Sequence, residues 1–263
     1  MAPAPESHVL GAQNPRIAEL RRLIGRRSSR SAEIVLEGPR TVAEALDAGH
    51  LPSVVVVPES GQDHRLLNDM PSSVEVMVTR DKAFERLAPS VSPQPMLALV
   101  PRPAGAIPSS FGADDLALVL VDVSDPGNVG TLVRAADAVG AAGVVFVGGA
   151  DPWGPKAVRS SAGSVLRVPV VQLDSLTEAS TMLRAAGARV IGTDVREGDP
   201  HDGGVLDGPV AIVLGSEPHG LDRSIDDLVD AWVSIDMPGN TESLNVAMAG
   251  TLLAYEARRN PAS

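Results

Sequence analysis

The sequence predicts an α/β protein with a small N-terminal α/β domain and a C-terminal domain built on a parallel sheet. Short apolar runs of strand length alternate with segments of helical length along most of the chain, which is typical of βα units. The stretch PRPAGAIPSSFGADD at 101–115 interrupts this alternation. Its Pro, Gly and Ser residues favour a linker between two domains.

The first predicted element is a basic amphipathic helix. Between Pro15 and Gly25, apolar residues recur at helical spacing. From 14 to 30 the chain holds six arginines and one glutamate, a local charge of +5 that leaves −16 for the rest of a chain with net charge −11. Such a run can form a solvated helix face. Alternatively, each guanidinium group can bind a phosphate through two parallel hydrogen bonds. Both interpretations stay open on charge alone.

The N-terminal domain follows this helix. We predict strands at 33–36, 54–57, 74–78 and 96–100, and helices near 41–48, 64–69 and 82–87. The expected organisation is therefore a basic helical segment (1–30), a small α/β domain (31–100), a linker (101–115) and a larger domain (116–263).

The C-terminal domain begins with LALVLVDV at 116–123, an apolar run typical of a strand covered on both faces. A helical segment at 131–141 follows it. Further strand-like runs lie at 143–148, 168–173, 188–195, 209–216 and 232–237, each after a segment of helical length. We therefore expect a parallel sheet, whose ligands bind at the carboxyl ends of the strands.

Composition excludes several classes of chemistry. The chain has no cysteine, which excludes disulfides, thiolate zinc sites, iron–sulfur clusters and a cysteine nucleophile. Its five histidines lack the paired spacing of a metal motif, so we predict no metal. No apolar run reaches the length of a membrane helix, and the start MAPAPESHVL lacks the features of a signal peptide. We expect a cytoplasmic protein with no membrane partner.

Three predicted strand ends carry polar residues that a sheet does not need. They are DVSDPGNVG at 122–130 with Arg134 after it, LGSEPHGL at 214–221, and NTESLNVAMAG at 240–250. A dinucleotide-binding GxGxxG and a phosphate-binding P-loop are both absent. The third stretch precedes the last predicted helix, where Thr241 or Ser243 can serve as the N-cap with Asn245 in the first turn.

Together these stretches resemble the three signature motifs of the SpoU ribose methyltransferases, within the SPOUT superfamily. The matching segments are DPGNVGTLVRAADAVGAAGVV, LGSEPHGL and IDMPGNTESLNVAMAG, and the resemblance extends over about 115–258. Upstream, IVLEGPRTVAEAL at 34–46 resembles the start of the substrate-binding domain found in members that act on ribosomal RNA.

The resemblance implies a SPOUT domain with a deep trefoil knot, a homodimer, and an N-terminal domain that binds RNA. The implied activity is S-adenosylmethionine-dependent 2′-O-methylation of ribose in RNA, with 23S rRNA favoured over tRNA. The alternative from another functional class is a catalytically silent RNA-binding protein that assists ribosome assembly. The donor is already an activated sulfonium, so the reaction needs neither a thiol nor a metal.

The resemblance also implies roles for individual residues. Arg134 corresponds to the base proposed in the family, but a guanidinium is hardly ever neutral, so a phosphate clamp that stabilises the developing alkoxide is the safer role. Glu217, Asn128 and Asn245 are expected to orient the hydroxyl and the arginine, and Glu217 can alternatively cap a helix. The residues implied in cofactor binding are Gly192, Thr193, Asp194, Leu214, Gly215, Ile235, Met237, Ser243, Leu244 and Asn245.

Aromatic residues make up 2% of the chain, too few for the stacking platforms of single-strand binders. RNA binding is therefore expected to rely on charge and shape. The predicted contacts are Arg16, Arg21, Arg22, Arg26, Arg27 and Arg40.

Overall fold

The computed structural model describes residues 9–25, 32–195, 197–216 and 220–259. The chain divides into two compact units, one of Met1–Pro103 with Trp153–Pro155 and the other of Ala104–Pro152 with Lys156–Ser263. None of the helices in the described residues is both long enough and apolar enough to span a bilayer. The sequence-predicted boundaries at 30, 100 and 115 stay predictions.

The first unit contains a four-stranded sheet in the order β1-β4-β2-β3, where β2 and β3 are parallel and the other pairs antiparallel. Its helices and strands are α1 (Pro15–Gly25), β1 (Glu33–Glu37), α2 (Pro39–Asp47), β2 (Val54–Pro58), β3 (Glu75–Thr79), α3 (Asp81–Glu85) and β4 (Leu97–Pro101). All four strands predicted here are present. The segment 65–69 forms a 3₁₀ turn rather than an α-helix, and the His64 side chain caps it by accepting from the Leu66 N–H.

Helix α1 is an integral part of the first unit's core. Ile17 and Leu20 are fully buried and pack with Met77, Phe84 and Leu97. The apolar periodicity that predicted the helix therefore marks its buried side, and Arg21 and Arg22 lie exposed on its remaining surface.

The second unit contains a seven-stranded, wholly parallel sheet in the order β7-β6-β5-β10-β8-β11-β9. Its elements are β5 (Leu116–Val121), α4 (Pro126–Ala138), β6 (Gly143–Val147), α5 (Pro155–Ser160), β7 (Val170–Leu173), α6 (Leu176–Ala185), β8 (Arg189–Thr193), β9 (Asp199–Pro200), β10 (Val210–Leu214), β11 (Ala231–Ser234) and α7 (Val246–Arg259). The predicted α/β class and parallel sheet are confirmed. Strand β9, only two residues long, was not predicted.

The sheet of the second unit is covered on both faces. On one face, Val119 and Val213 pack with Leu183 of α6. On the other, Leu214 meets α7, where it lies against Gly250. This burial of both faces explains why the strands are continuous apolar runs in the sequence.

Two glycines allow the helices beside this sheet to approach one another. A Cβ on Gly250 of α7 would lie 2.4 Å from a methyl carbon of Leu132 in α4. A Cβ on Gly130 of α4 would lie 2.4 Å from the carbonyl oxygen of Ala157 in α5. The second contact is with backbone, which cannot move aside as a side chain can.

We therefore expect Gly130→Ala to destabilise the protein, although alanine is the better helix former by about 1 kcal/mol. The backbone clash with Ala157 should outweigh that gain and leave a net loss of about 1–3 kcal/mol in the free energy of unfolding, measured by denaturant titration. Gly239→Ala is the control, because a Cβ added there would meet no atom of the described residues within 4 Å. A variant at 130 as stable as the parent would contradict the proposed close contact.

Candidate active site

A pocket lies at the carboxyl ends of three adjacent strands of the second unit. Strands β10, β8 and β11 are neighbours in the sheet, and the pocket lies where they end, beside the start of α7. The empty space between its lining residues is about 690 Å³, a figure that includes space open to solvent. Its lining residues are Thr193, Asp194, Val195, Leu214, Gly215, Ser216, Gly220, Val233, Ile235, Met237, Ser243, Leu244, Val246, Ala249 and Leu253.

Eight of the ten residues predicted to bind the cofactor line this pocket, and Gly192 and Asn245 do not. Gly192 instead lies under the ring of Trp232, where an added Cβ would come within 2.8 Å of ring carbons. Its role in the fold is to admit that indole. Sequence reasoning missed apolar lining residues of α7 such as Ala249 and Leu253, because they look like ordinary core positions of a helix.

Two backbone segments, one at Gly215 and one at Gly220, lie close together at one wall of the pocket. Gly215 is buried, and a Cβ there would lie 2.4 Å from the carbonyl oxygen of Gly220. The Gly220 N–H also donates to the Ser216 carbonyl over 2.8 Å. Only glycine allows the two backbone segments to come so close. The predicted catalytic Glu217 belongs to 217–219, outside the described residues.

Asn245 is the N-cap of α7, and the prediction that Thr241 or Ser243 caps this helix is wrong. The Asn245 Oδ1 accepts from the backbone N–H groups of Ala247 at 2.9 Å and Met248 at 3.3 Å. Thr241 Oγ1 donates to the Ser243 carbonyl instead. The helix starts at Val246, so Asn245 lies at its boundary rather than in its first turn.

Asn245 also reaches the first turn of α4. Its Nδ2 donates to Oδ1 of Asn128 over 3.2 Å, which brings together two of the four predicted catalytic residues. They are 117 positions apart in the sequence. The side chain of Asn245 therefore serves α7 with its oxygen and α4 with its nitrogen.

Asp125 holds the start of α4. Its Oδ1 accepts from the N–H groups of Gly127 at 2.7 Å and Asn128 at 3.1 Å, and its Oδ2 lies 2.8 Å from Nζ of Lys156. The Lys156 ammonium, followed by the Asn128 and Gly127 amides, holds the pKa of this carboxyl below its ordinary value. Sequence reasoning missed Lys156, which is 31 residues from Asp125 and outside the three motifs.

Arg134 takes no part in the hydrogen bonds that join Asp125, Lys156, Asn128 and Asn245. Its side chain is exposed on α4 and forms no hydrogen bond or ion pair with any residue that the structure describes. With respect to the described part of the chain, the donors of the predicted catalytic arginine are therefore available. Within the described ranges there is also no cluster of three or more His, Cys, Asp or Glu that could hold a metal ion.

The predicted RNA contacts differ in their surroundings. Arg16 is 2.7 Å from carboxylate oxygens of both Glu19 and Glu75, and hydrogen bonds to those carboxylates, first to Glu75, raise the pKa of its guanidinium. Arg40 is 90% exposed and pairs at 3.2 Å with Glu44. Arg26 and Arg27 lie outside the described residues.

Comparison with known proteins confirms the resemblance seen in the three motifs. The model of the SpoU rRNA Methylase family matches residues 115–255. The model of the MRM3-like substrate binding domain matches residues 14–98. The two matches fall on the two parts of the chain that hold separate sheets.

Relatives match along nearly the whole chain. The 23S rRNA (guanosine(2553)-2′-O)-methyltransferase RlmP of Bacillus subtilis is 29% identical, over 94% of this chain and 97% of its own. The 23S rRNA (uridine(2479)-2′-O)-methyltransferase of Streptomyces viridochromogenes is 30% identical, over 97% of this chain and 93% of its own.

Solved structures agree with these sequence matches. The SpoU methyltransferase AviRb from Streptomyces viridochromogenes, in complex with the cofactor AdoMet, superimposes with a TM-score of 0.83 at 30% identity, over 94% of this chain and 98% of its own. An AdoMet-bound rRNA methyltransferase from Sinorhizobium meliloti superimposes with a TM-score of 0.82 at 26% identity, over 95% of this chain and 96% of its own.

We expect two substitutions at Asn245 to separate its contacts with α7 and α4. Asn245→Ala loses the cap and should lower the free energy of unfolding by about 1 kcal/mol. Asn245→Asp keeps an acceptor at the helix N-terminus and should stay within about 0.5 kcal/mol of the parent, while it loses the donor to Asn128. Denaturant titration of both variants checks this. Equal losses would contradict the assignment of Asn245 as the cap.

Proposed function

Because the chain belongs to the SpoU rRNA methylase family, we propose that it transfers a methyl group from S-adenosylmethionine to a ribose 2′-hydroxyl of 23S rRNA. The observation that carries the proposal is the pocket lined by eight residues that the family resemblance assigns to the methyl donor. The named activities of the relatives from Bacillus subtilis and Streptomyces viridochromogenes support it. A cytoplasmic location is part of the same proposal, since 23S rRNA is found there in bacteria.

The residues of the pocket fit S-adenosylmethionine, whose sulfonium supplies an activated methyl group when bound. Leu214, Leu244 and Ile235 provide apolar walls, and Thr193 and Asp194 add polar groups. Apolar walls with a few polar groups are the usual make-up of a small-molecule site.

Arg134 is assigned to the RNA rather than to the donor. Its exposed guanidinium can hold a phosphate next to the target ribose in two parallel hydrogen bonds. The same positive charge stabilises the negative charge that develops on the 2′-oxygen as its proton leaves. Glu217 keeps its sequence-based assignment as the group that orients the hydroxyl.

Asn128 and Asn245 are assigned to positioning. The amide nitrogen of Asn245 already donates to Asn128, and its oxygen accepts from the start of α7. Their contact fixes the first turn of α4 against the N-terminus of α7, whose first residues line the pocket. Their contribution to transfer is thus to hold the two sides of the site together.

We also propose that the chain forms a homodimer through one face of α7. Met248, Leu252 and Tyr255 are 61%, 36% and 54% exposed, and their spacing puts them along one side of the helix. An exposed apolar stripe of this kind favours a protein interface. A second copy of the chain fits it best, because the implied site draws on both subunits and Arg134 has no partner in its own described residues.

The proposed fold includes the deep trefoil knot implied by the resemblance. Its support is the path of the chain, in which α7 follows β11 and packs back against β10 and α4. Residues just before α7 and at the start of α7 line the same pocket as Gly215 and Gly220.

The first unit is proposed to bind RNA. Arg21 and Arg22 are exposed on α1, and Arg40 is exposed at the start of α2. Arg16 contributes less than the sequence suggests, since two carboxylates already occupy its guanidinium. Arg26 and Arg27 keep their sequence-based assignment. The match to a substrate-binding domain supports this role.

Methyl transfer to purified RNA tests the proposed function. With labelled S-adenosylmethionine, we expect label in 23S rRNA and, on nucleotide mapping, a 2′-O-methyl group. Label in tRNA alone would contradict the proposal that 23S rRNA is the substrate. Cofactor binding without transfer to any RNA would favour a silent assembly factor.

In the same assay, Arg134→Ala should lower transfer at least about 100-fold because it removes an interaction with the transition state. Cofactor affinity, measured by calorimetry with S-adenosylhomocysteine, should stay within about twofold, since Arg134 is not a lining residue of the pocket. Arg134→Lys should also be poor, because an ammonium cannot reproduce the guanidinium fork. Arg184→Ala on α6 is the control for loss of an arginine. A parallel loss of cofactor binding in Arg134→Ala would contradict the assignment to RNA.

For the first unit, the double change Arg21→Ala and Arg22→Ala should weaken RNA binding and flatten its salt dependence. Loss of two phosphate contacts lowers the slope of log K against log salt by about 1.4, at about 0.7 per contact on single strands. Arg16→Gln is the matched control on the same helix, and its slope should stay near that of the parent. Unchanged slopes in the double variant would mean that these arginines are only solvated.

A further inference from the structure

We propose that Lys156 of α5 is a further positioning residue for methyl transfer, acting through Asp125 on the first turn of α4. This inference rests on the proposed function. Lys156 Nζ lies 2.8 Å from Asp125 Oδ2, and the two side chains are 56% and 42% exposed. None of the three sequence motifs includes this lysine.

The contact belongs to a continuous series of polar contacts that ends at the pocket. The Lys156 ammonium donates to Oδ2 of Asp125, and Oδ1 of Asp125 accepts from the backbone N–H of Asn128. The side chain of Asn128 accepts from Asn245. Asn245 caps α7 and directly follows the lining residue Leu244. A shift of the Asp125 carboxylate is therefore passed to both helices of the site.

The absence of a side chain at Gly127 leaves the space in which Asp125 and Lys156 meet. A Cβ on Gly127 would lie 2.6 Å from Asp125 Oδ1 and 3.7 Å from Cε of Lys156. The missing side chain thus gives room to both partners. Helix α5 is also held against α4 at Gly130, which does not depend on the ion pair. Replacing Lys156 should therefore release the carboxylate without separating the helices.

The expected effect is on geometry rather than on stability. Ion pairs between exposed groups add little to the free energy of folding, because water screens them. Catalysis, in contrast, is sensitive to displacements of about 1 Å in groups that orient the reactants. The ammonium is also the foremost cause of the lowered pKa of Asp125, so its removal should raise that pKa.

Helix α4 offers a matched control at its other end. Arg167 pairs with Asp137 at 2.7 Å, with side chains 41% and 26% exposed. Asp137 is near the C-terminal end of α4, whereas Asp125 caps its N-terminal end. Each pair joins a basic side chain to an aspartate of α4 and is partly exposed, but only one is next to Asn128. Arg167→Gln therefore reports what loss of an ion pair on α4 does by itself.

The test compares Lys156→Gln, Lys156→Arg and Arg167→Gln in steady-state transfer to 23S rRNA. We expect Lys156→Gln to lower kcat about tenfold, with KM for RNA and affinity for S-adenosylhomocysteine within about threefold of the parent. Lys156→Arg should restore kcat to within about threefold, and Arg167→Gln should match the parent. NMR titration should give a raised pKa for the Asp125 carboxyl in Lys156→Gln alone.

Three results would overturn the inference. The first is a parental kcat in Lys156→Gln. The second is a raised KM with unchanged kcat, which would make Lys156 a phosphate contact. The third is an equal loss of kcat in Lys156→Gln and Arg167→Gln, which would mean that both ion pairs act only by stabilising the fold. A parent protein without transfer activity would instead overturn the proposed function.

Discussion

The close approach of α4 and α7 is the constraint on which the site depends. Gly250 leaves α7 without a side chain where the methyl groups of Leu132 and Leu214 press against it. Only at that short separation can Asn245 at the start of α7 reach Asn128 at the start of α4. The apolar packing of two helices on the sheet thus sets the distance between polar groups that serve the chemistry.

Much of this arrangement could be predicted from the sequence. The apolar runs gave six of the seven strands in the second unit because strands buried on both faces carry no polar alternation. The resemblance to the SpoU family gave eight of the residues that line the pocket. Their position agrees with the general rule that ligands of parallel sheets bind at the carboxyl ends of the strands. Strand β9 escaped prediction because a two-residue strand has no period to detect.

The interactions missed were those that depend on three-dimensional distance. Thr241, Ser243 and Asn245 are all good N-caps, and only the path of the backbone decides among them. In the same way, nothing local to Lys156 indicates that its ammonium faces Asp125. Arg16 shows the converse, since a residue that looks free to bind phosphate in a basic run is neutralised by Glu75 from a strand 59 positions away.

The two tryptophans of the chain fall one to each compact unit. Trp153 is buried in the first unit, with the guanidinium carbon of Arg102 5.4 Å from its ring centre. Trp232 covers Gly192 in the second, and its indole N–H donates to Asp226 over 2.9 Å. One indole lies beside a cation and the other beside an anion. Each unit thus carries its own intrinsic fluorophore, and a single-tryptophan variant would report the unfolding of one unit independently of the other.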